Sequence, residues 1–586
     1  MKKHIIISAI GAFALMTLCS CNQDLLNIPQ KGVVAYEDFY KTDEDAESAL
    51  VSVYAQAITV VSSGTNGINN PSYNVVVNAP GDEMYWGGGK KNGSSSGAQD
   101  MNEFRNTYDN TIGHLKYIYR QMYALIYRAN LVIDNFYGEN GELCDSQVKK
   151  RCVAEARVFR AWAHFFLACY WGTPPLVDHV LAGDARPTNC DHDVLMDWII
   201  NEYKLALPDL EARKGPQDKN GAIKVTSGTC LALLGKAQVF AEDYAGAKSS
   251  LKQVIDSGNY ALVPTDQIAD LFNCKGDCNE EKVFEMNYDY HTNIGAFSGK
   301  YHYQRNNALF FRLVKMPSKF IQPEGWGNNC APTRKFADAM IAHEGDSPRR
   351  KAWFLSYEEF ITELEYASDT PGMTKEEKLM DPKRGFTPTS SYDELYANYG
   401  YFFVKFMPLQ ADLIPNSSTV TDENRIIMRY AEVLLLYAEA CAKAGDGDGS
   451  GLKALQEVQK RAGAPVSQTL TMEDVKQENW FELAWEGTRF LNLVRWGDAA
   501  KELAFKSVEE TPYFSDEFYA VGSHGKTLTG QPHKTRLTWK DDGWAASGGG
   551  FKAGKHELYP FPFSVTEQNP WDPEKGVGIK QNPGWE

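Results

Sequence analysis

Apolar residues recur at helical spacing over His114 to Phe136 and again over Arg151 to Trp171, and Thr173-Pro174-Pro175 stops the second stretch. A helix with one apolar stripe must bury it against a neighbour, so two such stretches in succession predict an antiparallel hairpin. The pattern repeats along the chain. Thr42-x-x-Asp45 ahead of Leu50, Val53 and Tyr54 is a capping signature followed by helical spacing. Asp191 to Glu211 and Thr229 to Asp256 continue the helices, which return at Arg425 to Ala444, Gly451 to Ala462 and Thr471 to Ala500. Leu234-Gly235 followed by Ala247-x-x-x-Leu251 matches part of the tetratricopeptide pattern, and Ala454-x-x-x-Val458 repeats its second half. The predicted fold class is mainly α, a tetratricopeptide-like scaffold of helical hairpins over about residues 40–260 and 425–505. Residues 63–110, 265–424 and 505–586 are punctuated by Gly, Pro and aromatics without sustained period, which predicts a loop-rich half with short strands.

The first residues set the compartment. Met1-Lys2-Lys3 is basic, Ile5 to Leu18 is apolar, and Leu18-Cys19-Ser20-Cys21 follows, as in a secretory signal peptide that ends in a lipobox. Residues 1–20 are the predicted leader and Cys21 the predicted lipidated residue, with acyl chains tethering the remaining chain, 21–586, to a membrane. Of the 11 Cys, loss of Cys19 and lipidation of Cys21 leave an odd number. Cys152, Cys169, Cys230 and Cys441 sit in helix-like apolar stretches and read as packing residues. Cys274 and Cys278 suggest either a local disulfide or half of a metal site.

Net charge is −16, from 60 Lys and Arg against 76 Asp and Glu, which disfavours nucleic acid and anionic lipid as partners. Motifs for catalysis fail on context. Gly93-Ser-Ser-Ser-Gly97 matches G-x-S-x-G but lies in a Gly/Ser loop with no strand before it. Gly522-Ser-His-Gly-Lys-Thr527 is similar to a phosphate loop, yet Ala520 stands where the first Gly belongs. Asp446, Asp448, Ser450 and Glu457 have the oxygen-ligand spacing of a calcium loop, with Gly451 at the turn. A solvated turn between helices explains the same residues, so calcium is a candidate ligand and no cofactor is required.

Five segments in order resemble the SusD/RagB-like family of outer-membrane nutrient-binding lipoproteins. They are Glu155-Ala-Arg-Val-Phe-Arg-Ala161 with Tyr170-Trp-Gly-Thr-Pro-Pro-Leu176; Gly325-Trp-Gly327 with Pro332-Thr333; Arg425-Ile-Ile-Met-Arg-Tyr-Ala-Glu-Val-Leu-Leu-Leu-Tyr-Ala-Glu-Ala440; Glu482-Leu-Ala-Trp-Glu-Gly-Thr-Arg489 with Leu493-Val-Arg-Trp-Gly497; and Gln581-Asn-Pro-Gly-Trp585. Within them, Glu486 with Arg489 and Arg429 with Glu432 are three apart and can pair along one helix face, which reads as structural. The resemblance implies a helical scaffold that carries a glycan-binding half, acts by binding without catalysis, and hands oligosaccharide to a SusC-type TonB-dependent transporter at the outer membrane.

Sugar recognition asks for open aromatic faces, on which the C–H face of a pyranose stacks, beside side chains that take its hydroxyls. Asp82, Tyr85 and Trp86 in one Gly-rich loop and Trp326 and Asn328 in another offer this; the resemblance implies contacts from these two regions and from one aromatic between, for which Tyr303 is the candidate, with Tyr73 a further one. Alternatives of other classes are a secreted glycoside hydrolase on a helical scaffold and a tetratricopeptide adaptor for protein partners.

Overall fold

The computed structural model describes, but for isolated positions, residues 39–62, 72–86, 96–105, 111–288, 313–321, 330–381, 384–386, 401–415, 421–507, 511–514, 537–540 and 549–586. Cys21, Tyr303, Trp326 and Asn328 lie outside the described residues, as do most of the Gly93–Gly97 motif and the whole of Gly522–Thr527.

The helices form where the periodicity places them. α1 (Asp43–Ser62) opens with the predicted reciprocal cap: Asp45 N donates to Thr42 Oγ1 at 3.1 Å and Thr42 N to Asp45 Oδ2 at 2.9 Å. After α2 (Ser72–Asn78) and the short strand β1 (Met84–Trp86), α3 (Gly113–Phe136) and α4 (Gln147–Trp171) make the predicted hairpin. α4 is buried along nearly its whole length, so its polar side chains need partners inside the protein. Arg157 and Arg160 both pair with Glu202 of α5 (His192–Ala206), and Arg160 also donates to Asn130 Oδ1 of α3 at 2.8 Å. These contacts fix three helices at once.

α6 (Ser227–Phe240) and α7 (Tyr244–Asp256) form the next hairpin, where the predicted stretch Thr229 to Asp256 breaks in two. A Cβ on Gly235 would lie 2.5 Å from Leu251 Cγ. The Gly and Leu of the repeat pattern are thus the crossing point of the two helices.

A difference from expectation comes at Arg425. Residues Arg425–Arg429 are not helical; they form a strand that pairs antiparallel with Lys282–Met286, and the helix begins only at Tyr430. With β2 (Lys282–Met286), β3 (Cys330–Pro332), α8 (Pro348–Trp353), β4 (Arg425–Arg429), α9 (Tyr430–Ala444), α10 (Ser450–Ala462), α11 (Met472–Glu482) and α12 (Arg489–Arg495), the remaining framework is set. All sheets among the described residues are two-stranded. The predicted continuous helix over 471–500 is broken between α11 and α12, where Trp485 has φ +64° and Gly487 φ +81°. Gly487 needs its lack of a side chain twice over, since a Cβ there would also lie 2.7 Å from Val77 Cγ2.

The break and the strand together build a buried ion cluster. Arg429 reaches Glu281 at 2.7 Å, Glu482 at 2.6 Å and Glu486 at 2.7 Å. Arg461 of α10 meets Glu281 at 2.6 Å and Glu482 more closely still; Arg349 of α8 meets Glu482 at 2.8 Å and also pairs with Glu344 and Glu478; Lys405 meets Glu486 at 2.6 Å. The expected pairing of Glu486 with Arg489 along one helix face is therefore replaced, because the turn at Trp485 aims Glu486 at Arg429. Glu432, expected to pair with Arg429, instead takes Lys236 of α6 at 2.7 Å. Burial alone would raise the Glu482 carboxyl, but Arg461, Arg429 and Arg349 hold it well below the ordinary carboxylate range.

The C-terminal segment runs back over the helices. Asn582 Nδ2 donates to the carbonyls of Trp171 at 3.0 Å and Tyr559 at 2.7 Å, closing over the end of α4, and Trp585 Nε1 donates to Leu558 O at 3.0 Å. No helix among the described residues is long and apolar enough to cross a membrane.

Two further expectations are corrected. Cys274 and Cys278 are not joined in a disulfide, and Cys152, Cys169, Cys230 and Cys441 are unbridged as well. The calcium loop is a helix entry instead: Asp446 accepts from the amides of Gly451 at 2.7 Å and Leu452 at 3.0 Å, and Asp448 from Ser450 N at 3.1 Å. Glu457 lies on the exposed side of α10, and no group of three His, Cys, Asp or Glu suited to a metal occurs among the described residues. The carboxylates that would bind the ion satisfy the free N–H groups of α10.

Candidate functional site

β1, which carries Tyr85 and Trp86, meets in a ladder with β3, which follows Trp326 and Asn328 in sequence. β1 pairs antiparallel with β3 in the register Met84↔Pro332, Tyr85↔Ala331, Trp86↔Cys330. The chain therefore leaves β1 at the point where it enters β3. Regions some 240 residues apart share one end of a strand pair.

Buried charge anchors this ladder. Asp82 is wholly buried; its carboxylate takes Arg489 Nε at 2.7 Å and Nη2 at 3.0 Å, and Lys335 Nζ at 2.8 Å. Thr333, just past β3, donates its hydroxyl to Asp82 O at 2.6 Å and its amide to Glu83 O at 3.0 Å. Burial would raise the Asp82 carboxyl, yet Arg489 and then Lys335 hold it well below its ordinary range. Its neighbour behaves in the opposite way. Glu83 Oε2 accepts from Trp485 N at 2.8 Å while Oε1 is buried with no hydrogen-bond partner, and burial, reinforced by the charge of Asp82, pushes its carboxyl up to about 8.

This arrangement corrects the expected sugar-facing role of four residues. Asp82 is the ion-pair anchor just described. Tyr85 and Trp86 are 2% and 1% exposed: Tyr85 OH accepts from Gln99 Nε2 at 3.0 Å, and the Trp86 amide donates to Asn102 Oδ1 at 3.2 Å. Tyr73 is buried in α2, its ring stacked on Phe166 with centroids 5.6 Å apart. An alternation of polar and aromatic residues in a Gly-rich stretch looked like an open loop; the interior took it because Arg489, Lys335 and Trp485 supply partners from distant segments. Of the other predicted contacts, Trp326 and Asn328 precede the ladder's end in sequence, and they and Tyr303 lie outside the described residues.

Glu83 gives a pH prediction. With a folded value of about 8 against an ordinary 4.5, the native state holds more protons than the unfolded chain between those values, so stability falls as pH rises through that window. Glu478, raised by burial to about 7 against the pull of Arg349, acts in the same sense. His114 and His164, held neutral by burial, act oppositely but only below about 6.5, the ordinary histidine value. Glu83→Gln keeps an acceptor for Trp485 N and is expected to flatten the fall in unfolding free energy between pH 6.5 and 8, measured by denaturant titration. An unchanged slope in the variant would contradict the assignment.

A sequence profile of the SusD family matches residues 256–585, more than half of the chain. The chain belongs to the SusD family. SusD-like protein P25 of Formosa agariphila is 22% identical over 525 residues, covering 85% of this chain and 91% of that protein. A SusD-like protein of Bacteroides ovatus is 23% identical, covering 85% of this chain and 83% of the relative. Among solved structures, a laminarin-binding SusD-like protein superposes with a TM-score of 0.67 at 23% identity, over 93% of this chain and 100% of that one. Surface glycan-binding protein A of Bacteroides thetaiotaomicron does so with a TM-score of 0.65 at 20% identity, over 93% and 99%. The SusD fold is the tetratricopeptide-like helical fold described above, and the SusD family is one of cell-surface-associated, glycan-binding proteins.

Proposed function

We propose that this SusD-family protein is an outer-membrane lipoprotein, anchored through acylated Cys21 after loss of residues 1–20. It captures an oligosaccharide and delivers it to a SusC-type TonB-dependent transporter, breaking no bond. Trp326 and Tyr303 supply the stacking faces and Asn328 takes sugar hydroxyls. The observation that carries this is the β1–β3 register, which sets the start of β3, directly after Trp326 and Asn328 in sequence, against the anchored Asp82–Trp86 segment at one end of a ladder. The anchor matters because a ligand site whose frame is fixed before the ligand arrives loses less entropy on binding. Family membership and glycan-binding structural neighbours support the ligand class.

Calorimetric titration of the purified protein with laminarin-, starch- and fructan-derived oligosaccharides, with a parallel assay for new reducing ends, tests capture without cleavage. Saturable heat with one class and no new ends is the expected result; release of reducing ends would make the protein a hydrolase. Cys21→Ala is expected to release the protein from the membrane fraction, and its retention there would refute the anchor.

A further inference from the structure

A cleft of about 570 Å³, within the usual range for small-ligand sites, opens between α3, the segment 175–187 that follows α4, and the C-terminal segment 565–579. Its lining comes from parts of the chain other than β1, β3 and their flanking residues. Three tyrosines, at positions 119, 123 and 127, recur every fourth residue of α3 and so share one helix face along the cleft. They grade from inside to outside: Tyr119 is 5% exposed, Tyr123 is half-buried and Tyr127 is 52% exposed. Tyr123 is locked by its hydroxyl, which donates to Pro175 O at 2.8 Å, and its ring centroid lies 5.0 Å from that of Tyr119. Asn569 fastens the C-terminal wall to the facing one by donating to Pro187 O at 2.6 Å.

The cleft also carries a cation. Arg186 is exposed on its lining, donates to Ala185 O at 2.9 Å, and has no carboxylate partner among the described residues; the neighbouring His179 is already paired with Asp178 at 2.7 Å. On a chain of net charge −16, an uncommitted guanidinium beside a stripe of aromatic faces is a local exception that fits an anion. Phenol rings offer faces to the C–H side of a pyranose, and a guanidinium forks onto a carboxylate.

We propose that this cleft is a second carbohydrate subsite, selective for a sugar unit that bears a carboxylate, such as a uronic acid. It shares its ligand class with the proposed function but not its residues. Tyr127 and Arg186 are exposed, so their substitution leaves the fold intact.

Hydrogen exchange of the full chain is followed with methyl β-D-glucuronide or methyl β-D-glucoside as probe. Saturable protection of residues 119–130 and 175–187 is expected, with the glucuronide acting at about tenfold lower concentration, as one bidentate charged contact allows. Arg186→Gln should abolish that preference and leave the glucoside unchanged. Tyr127→Ala should weaken both probes by about fivefold, the scale of one aromatic contact. The same measurements on Tyr303→Ala/Trp326→Ala protein should be unaltered. Absence of saturable protection, equal midpoints for the two probes, a preference that survives Arg186→Gln, or occupation by an apolar dye that the glucuronide fails to displace would each overturn the proposal. Protection at the cleft in a protein that captures no neutral oligosaccharide would sink the proposed function and leave the subsite standing.

Discussion

Arg429→Ala is expected to destabilise the protein by about 3–5 kcal/mol, the scale on which removal of one member of a buried ion cluster is felt. The side chain is wholly buried and stands between three carboxylates, those of Glu281, Glu482 and Glu486. Its removal leaves Arg461 and Arg349 to serve Glu482 and leaves Glu486 with Lys405 alone. That single ammonium also serves the carbonyls of Glu482 and Ala484, so it does not replace the fork of Arg429 on Glu486. Taking away the central cation costs more than the pair interactions it made, because the remaining charges stay desolvated. Lys351→Ala is the contrast. Its pair with Glu363 at 2.8 Å is a third exposed, and its loss should cost under about 1 kcal/mol. Denaturant titration of both variants checks the ranking; equal losses would show that the buried cluster does not hold β4 against α10 and α11.

Asp82→Ala should be comparably damaging and should also reach the ligand site. The carboxylate is the meeting point of Arg489 from α12 and Lys335 from just beyond β3, and Arg489 has no other ion-pair partner among the described residues. Leaving that guanidinium buried and unpaired is again expected to cost about 3–5 kcal/mol. The Arg489–Asp82 pair ties the chain entering β1 to the helical scaffold, so the ladder end loses its fixed position. Oligosaccharide affinity of the protein that still folds should fall by about tenfold, or about 1.4 kcal/mol. Full stability in Asp82→Ala, or wild-type affinity at reduced stability, would separate the anchor from the site.

The helical half was legible because its signals are local. The Thr42/Asp45 cap, the Pro174-Pro175 stop and the Gly235–Leu251 crossing each depend on residues close in sequence, and the structure uses all of them. What a single sequence hid were pairings over long separations. Arg425-Ile-Ile-Met-Arg429 adjoins a strong helix, and its two β-branched residues count as strand formers only when β2, about 140 residues earlier, supplies the partner. Nothing local to Asp82 announces Arg489, 407 residues away, so an acidic residue beside aromatics in a Gly-rich stretch suggested a sugar contact where the fold has a buried anchor. Trp485 at positive φ was equally hidden, although Gly487 nearby was a visible breaker. The tyrosine stripe of α3 follows from the helical period of 114–136, but which of its members stays exposed depends on what α4 and the C-terminal segment leave uncovered.

We propose above that this SusD-family protein grips oligosaccharide through Tyr303 and through Trp326, which precedes β3 in sequence. Titration of the preferred oligosaccharide into wild-type and Tyr303→Ala/Trp326→Ala protein measures it most directly. The predicted result is saturable binding by the wild type and a loss of about 25-fold in the double variant, about fivefold for each stacking face removed. Equal binding curves for the two proteins would contradict it.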